Sequence, residues 1–342
     1  MELPRRIVIG ENNIQEIGDF LIHLIKGGCA SLVSGANVKR VLGSIIEASL
    51  EAANIRYTWH IFQDNNTVSF TMAKSAITQD RPDVVVGIGG GRSVDIAKMT
   101  ATSLDRPYVS VPTAASHDGM ASPFVSVKGD RPHSRVARSP LGVFVDLDII
   151  KSAPAKLLAS GCGDLVANII AVQDWQLSHE KTGEYYGRYS ASLAMMSANM
   201  IMENAATFAE KGPEVRLIVE ALISAGVASC IAGSSRPCSG AEHLFSHALD
   251  KITPGKGLHG EKCGIGSIVM AKLHDLDHQS ITTALKNVGA PTTAADIGLS
   301  DEDVVQALCM AQSLRPERYT ILKEVPLDAS SAKRLALESG II

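Results

Sequence analysis

This 342-residue chain has few aromatic residues and a small net charge. Phe, Trp and Tyr make up 4% of the residues, and the formal net charge is −4. Nucleic-acid-binding proteins rely on basic surfaces and, for single strands, on aromatic side chains that stack with bases. A slightly acidic chain with few aromatics therefore indicates that no nucleic acid is a partner. The same charge argues against binding to an anionic membrane surface.

Paired cysteines and long apolar runs are missing as well. The six cysteines form no Cys-x-x-Cys pair, which argues against a zinc ribbon or a thioredoxin-type motif. In a chain of this size they are typical of reduced thiols, so we expect a cytoplasmic protein. The first residues lack the apolar segment of a signal peptide, and we expect no membrane span, because no apolar run approaches the necessary length.

Strand and helix patterns alternate through the first half of the chain. Short apolar runs predict strands at residues 6–9, 29–33, 56–61, 83–88, 108–111 and 143–145, with helical spacing between them. This alternation predicts a parallel sheet with helices on both faces. A hairpin is expected at residues 124–127 and 135–138, where the alternation breaks.

Helical patterns alone follow residue 150. They predict helices at residues 164–178, 188–210, 215–232, 241–249, 261–276, 301–313 and 331–338. The change in pattern predicts two domains, an α/β domain at residues 1–150 and an all-α domain at residues 151–342.

Three histidines lie within Ser239–Gly266, which reads SGAEHLFSHALDKITPGKGLHGEKCGIG. His243 and His247 are four residues apart, so they share one face of a helix. The breakers in Thr253–Gly257 end that helix, and His259 then opens an element that can fold back beside the first two histidines. Three converging imidazoles are typical of a divalent transition-metal site. Two surface histidines with a chance neighbour would give the same pattern, and the spacing leaves open which of the first two is a ligand.

One carboxylate is a candidate further ligand. The motif Gly161–Asp164 is expected to open the first helix of the second half, where Asp is usually an N-cap. Its two glycines allow a close backbone approach, so Asp164 could join His243 and His259 as a third ligand. Three protein ligands with an open position are the pattern of a catalytic metal, whereas four close a structural site. The remaining candidate for a fourth ligand is His247.

A glycine-rich turn follows the fourth predicted strand. The turn and the helix start contain Gly89, Gly90, Gly91, Arg92, Ser93 and Asp95. Backbone N–H groups in such a turn can approach a phosphate closely, and the helix dipole favours the negative charge. The segment is neither the G-x-G-x-x-G fingerprint nor a Walker A loop, and a tight turn can require glycine without any ligand.

The next strand ends in a second polar corner at residues 112–123. This corner contains Thr113, Ala114, Ala115, Ser116, Asp118 and Ser122. Two strand ends with small polar loops fit a ligand crevice at the carboxyl edge of a parallel sheet. Taken alone, Asp118 before glycine is typical of an Asx turn.

Four segments together resemble the superfamily of iron-type alcohol dehydrogenases, glycerol dehydrogenases and dehydroquinate synthases. GGGRSVD, TAASHDGMAS, GCGD and EHLFSHAL…HGEKCGIG follow one another in the superfamily's order across essentially the whole chain. The resemblance implies a dehydroquinate synthase-like fold, with a Rossmann-like parallel-sheet domain that binds NAD(H) or NADP(H). An all-α domain would follow it and bind substrate and a divalent ion such as Zn²⁺.

SGAEHLFSHALDKI and SHDGMASP are most like the superfamily members that reduce dihydroxyacetone phosphate, in phospholipid backbone synthesis. The resemblance therefore implies that the small-molecule substrate is dihydroxyacetone phosphate. It also implies that the protein is a homo-oligomer. Plain glycerol dehydrogenase and a dehydroquinate synthase-type lyase are the alternatives, and a catalytically silent metal- and nucleotide-binding protein is a third.

The resemblance also implies roles for individual residues. Asp164, His243 and His259 would hold the ion, and Asp118, Asp164 and His247 would contact substrate. Cofactor contacts would come from Gly89, Gly90, Gly91, Arg92, Ser93, Asp95, Thr113, Ala114, Ala115, Ser116 and Ser122. The segment at residues 129–135 is unusually rich in Arg for this superfamily, which leaves the residues that hold the substrate phosphate open.

The end of the second predicted strand bears on the choice of cofactor. An acid there that hydrogen-bonds the ribose 2′-hydroxyl favours NAD, because its charge repels a 2′-phosphate. Val33–Asn37 contains no acid, and Lys39 and Arg40 follow it. We therefore predict that both NADH and NADPH are used, although two such cations are equally typical of a solvated helix start.

Overall fold

The computed structural model of the protein describes residues 2–25, 28–64, 66–127 and 133–342. The chain divides into two compact units. Most described residues up to Pro154 form the first unit, and Ala155–Ile342 together with Ser116–Asp118 form the second. The first unit is α/β and the second is helical, so the predicted fold class is confirmed.

In the described part of the chain, a six-stranded parallel sheet forms the centre of the first unit. Its strands are β1 (Arg6–Gly10), β2 (Cys29–Ser34), β3 (Arg56–Ile61), β4 (Val84–Gly89), β5 (Tyr108–Pro112) and, after the two hairpin strands, β8 (Gly142–Asp146). Their order across the sheet is β1-β8-β5-β4-β2-β3. All six predicted strands are present. The runs of branched apolar residues in β2, β4, β5 and β8 are buried, as expected for a sheet covered on both faces.

Five α-helices among the described residues accompany this sheet: α1 (Ile17–Ile22), α2 (Ala36–Ala52), α3 (Thr67–Asp80), α4 (Gly91–Ser103) and α5 (Leu147–Ser152). Leu32 packs into one core with apolar residues of α1 and α2, while Val33 packs into a second core with residues of α3 and α4. Successive strand residues point to opposite faces, so the two cores lie on the two sides of the sheet.

The predicted hairpin is present as β6 (Phe124–Val127) and β7 (His133–Val136), which pair antiparallel. The second strand begins and ends two residues earlier than expected. Residues 128–132, which include most of the Arg-rich segment, lie outside the described residues.

The second unit contains α6 (Ala155–Thr182), α7 (Arg188–Lys211), α8 (Val215–Ala232), α9 (Ala241–Ile252), α10 (His259–Leu273), α11 (His278–Asn287), α12 (Asp301–Leu314), α13 (Ile321–Glu324) and α14 (Ala329–Ser339). No strand occurs in residues 155–342, all of which are described, as the sequence predicts. The two short helices α11 and α13 were not predicted. Helix α10 packs against α6 and α9, and α9 also packs against α12.

Two of these helices, α6 and α8, are long and apolar enough to cross a membrane by length and composition alone. The expectation that no apolar run approaches that length is therefore too strong for the described chain. In their most apolar windows, 72% of α6 and 56% of α8 are buried by protein. Such burial is typical of core helices, which pass the same test.

Candidate active site

Asp164 lies inside α6, which begins at Ala155. This corrects the expectation that the GCGD motif opens a helix with Asp164 near its N-cap. Gly163 serves packing instead: a Cβ there would clash with the carbonyl oxygen of Gly260 in α10, and a Cβ on Gly260 would clash with the carbonyl oxygen of Ser160. Glycine at both positions lets α6 and α10 approach closely, which brings Asp164 next to the first turn of α10.

Three predicted metal ligands converge in the second unit. Oδ1 of Asp164 is 3.4 Å from Nε2 of His259 and 3.7 Å from Nε2 of His243, and the two Nε2 atoms are 3.2 Å apart. Such separations suit donors around one ion with bonds of about 2.0–2.2 Å. His259 is the first residue of α10, so the prediction that it opens a new element is correct.

Among the described residues, the carboxylate of Asp164 accepts a hydrogen bond through one of its two oxygens. Its Oδ2 accepts a hydrogen bond of 2.9 Å from the backbone N–H of Asp118. Its Oδ1 is buried and has no hydrogen-bond partner among the described residues. Buried polar atoms are rarely left without a partner unless an ion or ligand supplies one. A lone carboxylate oxygen that faces two imidazole nitrogens fits a divalent metal ion.

Glu242 is a residue that sequence reasoning missed. Its Oε1 lies 2.6 Å from Nδ1 of His243 and accepts the N–H of Gly240 at 2.8 Å. A carboxylate on one ring nitrogen fixes the tautomer and orientation of an imidazole that binds metal through the other. The only signal in the sequence was an acid directly before the first histidine.

Cys263 is the second missed residue. Its Sγ lies 3.7 Å from Nε2 of His259, and the donor atoms of Asp164, His243, His259 and Cys263 all lie within 4.8 Å of one another. The available signal was spacing, because Cys263 follows His259 by four residues and so shares its helix face.

His247 is buried beside this cluster, but its nitrogens are not among the converging atoms. Its ring centroid is 6.5 Å from that of His243 and 6.3 Å from that of His259. Both of its ring nitrogens lack a partner among the described residues. The geometry thus places His243 with the ligand atoms and leaves the His247 ring available to a bound molecule.

Burial shifts the protonation equilibria of the cluster. Burial, aided by the charge of Asp118, raises the pKa of Asp164 to about 7. Burial lowers the pKa of His247 to about 3 and the pKa of His259 well below its usual range. Both imidazoles are therefore neutral at pH 7. For His259, a neutral ring is the form that binds a metal ion.

The segment Ser116–Asp118 belongs to the same unit as these helices. Ser160 donates its hydroxyl to the carbonyl oxygen of Ser116 at 3.2 Å, and the His117 ring centroid is 6.3 Å from that of His259. The structure thus places the backbone N–H of Asp118 against Asp164, one of the predicted metal ligands.

In the first unit, the glycine turn lies at a topological switch point of the sheet. From β2 the chain proceeds outward to β3, whereas from its neighbour β4 it proceeds the other way to β5. Open α/β sheets bind ligands at the carboxyl ends of strands at such a point. Gly89 has φ of +146°, which favours glycine, and a Cβ on Gly90 would meet no atom within 4 Å. Space for a ligand is thus present over the N-terminus of α4.

The other predicted cofactor residues have varied surroundings. Arg92 is exposed and donates to the carbonyl oxygen of Gln63 at 3.0 Å, and the backbone N–H of Thr113 donates to the carbonyl oxygen of Gly89 at 3.0 Å. Asp95 is buried 3.9 Å from the ammonium of Lys98. The remaining buried members are Ser93, Ala114, Ala115 and Ser122.

At the end of β2, the two cations already have partners. Lys39 lies 3.3 Å from Glu47 and over the ring of Trp59, and Arg40 donates to Asn37 at 2.6 Å. These exposed contacts are weak enough to be exchanged for a phosphate.

Comparison with known proteins shows which proteins are similar to this fold. Residues 8–154 match the family described as iron-containing alcohol dehydrogenase. A glycerol dehydrogenase from Schizosaccharomyces pombe has a TM-score of 0.84 at 20% identity, covering 99% of this chain and 90% of its own. The NADH-dependent butanol dehydrogenase A of Thermotoga maritima has a TM-score of 0.75 at 16% identity, covering 100% and 98%. At such identities the likeness shows the fold alone.

Full-length relatives narrow the class to one family. The chain is 64% identical to the glycerol-1-phosphate dehydrogenase [NAD(P)+] of Nitrosopumilus maritimus, covering 100% of this chain and 97% of that protein. It is 44% identical to the enzyme of the same name from Hyperthermus butylicus, covering 100% and 99%. The chain therefore belongs to the glycerol-1-phosphate dehydrogenase family, and the resemblance inferred from its motifs is confirmed.

Proposed function

We propose that this protein reduces dihydroxyacetone phosphate to sn-glycerol 1-phosphate with NADH or NADPH. The observation that carries the proposal is the convergence of Asp164, His243 and His259 in a chain 64% identical to a glycerol-1-phosphate dehydrogenase. The product would be a glycerol phosphate of the kind used as a phospholipid backbone.

The helical unit would hold a divalent ion, with zinc the proposed metal. One carboxylate and two imidazoles are donors that suit zinc and similar transition metals. When bound, such an ion is a Lewis acid that polarises a carbonyl oxygen. Asp118 and Glu242 would position the ligands, the first by donating its N–H to Asp164 and the second by accepting from His243.

His247 would orient the substrate. A pKa of about 3 keeps its ring neutral at physiological pH, so it is not an imidazolium acid. A neutral imidazole is both a donor and an acceptor, which allows it to hydrogen-bond a substrate hydroxyl or phosphate. We also propose that the Asp118 carboxylate contacts substrate, as the superfamily resemblance implies.

The α/β unit would bind the nicotinamide cofactor, which supplies the hydride when bound. Gly89–Gly91 and the N-terminus of α4 would hold the pyrophosphate, because backbone N–H groups and the helix dipole favour an anion there. Exposed Arg92 would add positive charge. The corner at residues 113–116, with Ser122, would contact the rest of the cofactor. Asp95 in α4 would be a further cofactor contact.

An absorbance assay tests the proposal. Purified protein loaded with Zn²⁺ and mixed with dihydroxyacetone phosphate should oxidise NADH, and chiral analysis should find the sn-1 product. Asp164→Asn, which removes a ligand charge, should lose nearly all of this activity. Turnover of glycerol but not of the phosphorylated ketone would instead indicate a glycerol dehydrogenase. Phosphate release from a sugar phosphate without net NADH consumption would indicate a dehydroquinate synthase-type lyase.

We further propose that residues 1–150 form the cofactor domain and residues 151–342 the metal and substrate domain of a cytoplasmic homo-oligomer. None of the six cysteines, all of which lie in the described part of the chain, forms a disulfide, which agrees with a reducing compartment. Light scattering coupled to size-exclusion chromatography tests the oligomeric state, and a monomeric mass would contradict it.

A further inference from the structure

A sulfur atom lies beside the three proposed ligands. Cys263 contributes its Sγ to a group of four donor atoms that lie within 4.8 Å of one another. A tetrahedral ion with bonds of about 2.1 Å to nitrogen or oxygen and 2.3 Å to sulfur separates its donors by about 3.3–3.6 Å. The sulfur is 3.7 Å from Nε2 of His259, near this separation, and 3.9 Å from Nδ1 of the same ring.

The backbone holds Cys263 in this position. It follows His259 by one helical turn, so both side chains project from the same face of α10. The tight packing of Gly163 against Gly260 keeps that part of α10 against α6, where Asp164 lies. Cys263 is 0% exposed.

Burial alone does not distinguish this cysteine. Cys162 lies on α6, two residues before Asp164, and is 1% exposed, yet it is not part of the donor group. Of these two buried thiols beside proposed ligands, one is therefore placed to bind an ion and the other is not. The pair supplies a matched control.

We propose that Cys263 is a fourth ligand, a sulfur donor, of the metal ion. This inference rests on the proposed function, because it requires an ion at Asp164, His243 and His259. On binding, the thiol proton would leave to solvent and a sulfur–metal bond would form. A thiolate favours zinc and cobalt over harder ions such as Mg²⁺ or Mn²⁺. Zinc can expand from four to five ligands during catalysis, so this set leaves access for substrate.

Cobalt spectroscopy tests the proposal without reference to activity. Metal-free full-length protein is loaded with one equivalent of Co²⁺, and its near-ultraviolet absorption is recorded. A cobalt–thiolate bond produces a strong charge-transfer band there, which carboxylate and imidazole ligands do not. We expect the band in the wild type and in Cys162→Ser. In Cys263→Ser we expect it to disappear while Co²⁺ remains bound, with zinc affinity reduced more than ~10-fold in chelator competition.

Each other result overturns the inference in a recognisable way. If the wild type binds Co²⁺ without the band, Cys263 is not a ligand and the three-ligand site stands. The same conclusion follows if Cys263→Ser keeps the band, or keeps wild-type zinc affinity. If the wild type binds neither Co²⁺ nor Zn²⁺, the metal site of the proposed function fails together with this inference. The wild-type spectrum decides the question even if the serine variant does not fold.

Discussion

His247 is buried beside the proposed metal ligands without belonging to their donor group. Its nitrogens lie outside the group of converging donors. His247→Ala should therefore retain stoichiometric zinc, measured by elemental analysis, while losing most reductase activity, because the substrate loses a hydrogen-bonding partner. The matched variant is His243→Ala, which should lose the metal as well. Stoichiometric loss of zinc from His247→Ala would show that the roles within the pair are reversed.

The depressed pKa of His247 predicts an acid-sensitive contribution to stability. Its pKa is about 3 in the folded protein and about 6.5 in the unfolded chain, so only the unfolded chain gains a proton between these values. Titration of this residue therefore leaves the free energy of unfolding unchanged above about pH 6.5 and lowers it progressively as the pH falls toward 3. Within this window the free energy of unfolding falls by about 1.4 kcal/mol per pH unit.

Comparison with His247→Asn isolates this effect from the other titrating groups. In urea unfolding of metal-free protein at pH 7 and at pH 5, wild type should lose about 2 kcal/mol more than the variant, since roughly 1.5 pH units of the window are crossed. Equal losses would mean that the folded protein opens enough to protonate the ring.

At the scale of elements, the approach of α6 and α10 determines the geometry of the proposed metal site. Gly163→Ala should separate the two helices, because its Cβ would clash with the Gly260 carbonyl oxygen. We expect destabilisation of about 1–3 kcal/mol, as in other overpacked cores, together with at least tenfold weaker zinc binding. Thermal unfolding and chelator competition measure the two effects.

Gly264→Ala is the matched control on the facing helix. There a Cβ would meet its nearest neighbours, Gly163 Cα and a Leu285 methyl, at 3.4 Å, a contact that small adjustments can absorb. Alanine also favours a helix over glycine by up to about 1 kcal/mol. The control should therefore keep wild-type zinc affinity and stability. If both variants behave alike, close packing at Gly163 does not shape the site.

At the scale of the whole molecule, the metal should matter for turnover and not for folding. The second unit has an apolar core that includes Trp175, Phe245 and Ile268, and we expect burial of this core to suffice for folding without an ion. Chelation should abolish activity while the far-ultraviolet circular dichroism remains, and added zinc should restore the activity. Collapse of helicity on chelation would show that the site is structural.

Cofactor choice also belongs to the whole molecule, because it depends on the edge of the sheet. No carboxylate occurs in residues 33–37 at the end of β2, where it would repel a 2′-phosphate. Catalytic efficiencies with NADH and NADPH should lie within ~100-fold of each other, under ~3 kcal/mol of discrimination. Steady-state kinetics with each cofactor measure this. A preference for NADH of several thousandfold would mean that another carboxylate, such as Asp64 after β3, reaches the ribose.

Much of the fold was predictable from the sequence because local patterns report local structure. Continuous branched apolar runs predicted all six parallel strands, and helical spacing predicted the principal helices, Val215–Ala232 to the residue. The spacing of His243 and His247 and the break before His259 likewise predicted that histidines converge in this segment, as His243 and His259 do in the structure. These features depend on residues close together in the chain.

Other features depended on contacts between distant residues. By local preference, the glycines of Gly161–Asp164 predict a helix start, yet in the structure they lie inside α6, because Gly163 packs against the backbone of α10. The order of the strands, which places the glycine turn at a switch point, likewise has no signature along the chain. Only the tertiary structure placed Glu242 on His243 and Cys263 beside the ligands. Their chemistry depends on which atoms lie across a helix interface, and sequence spacing does not specify that.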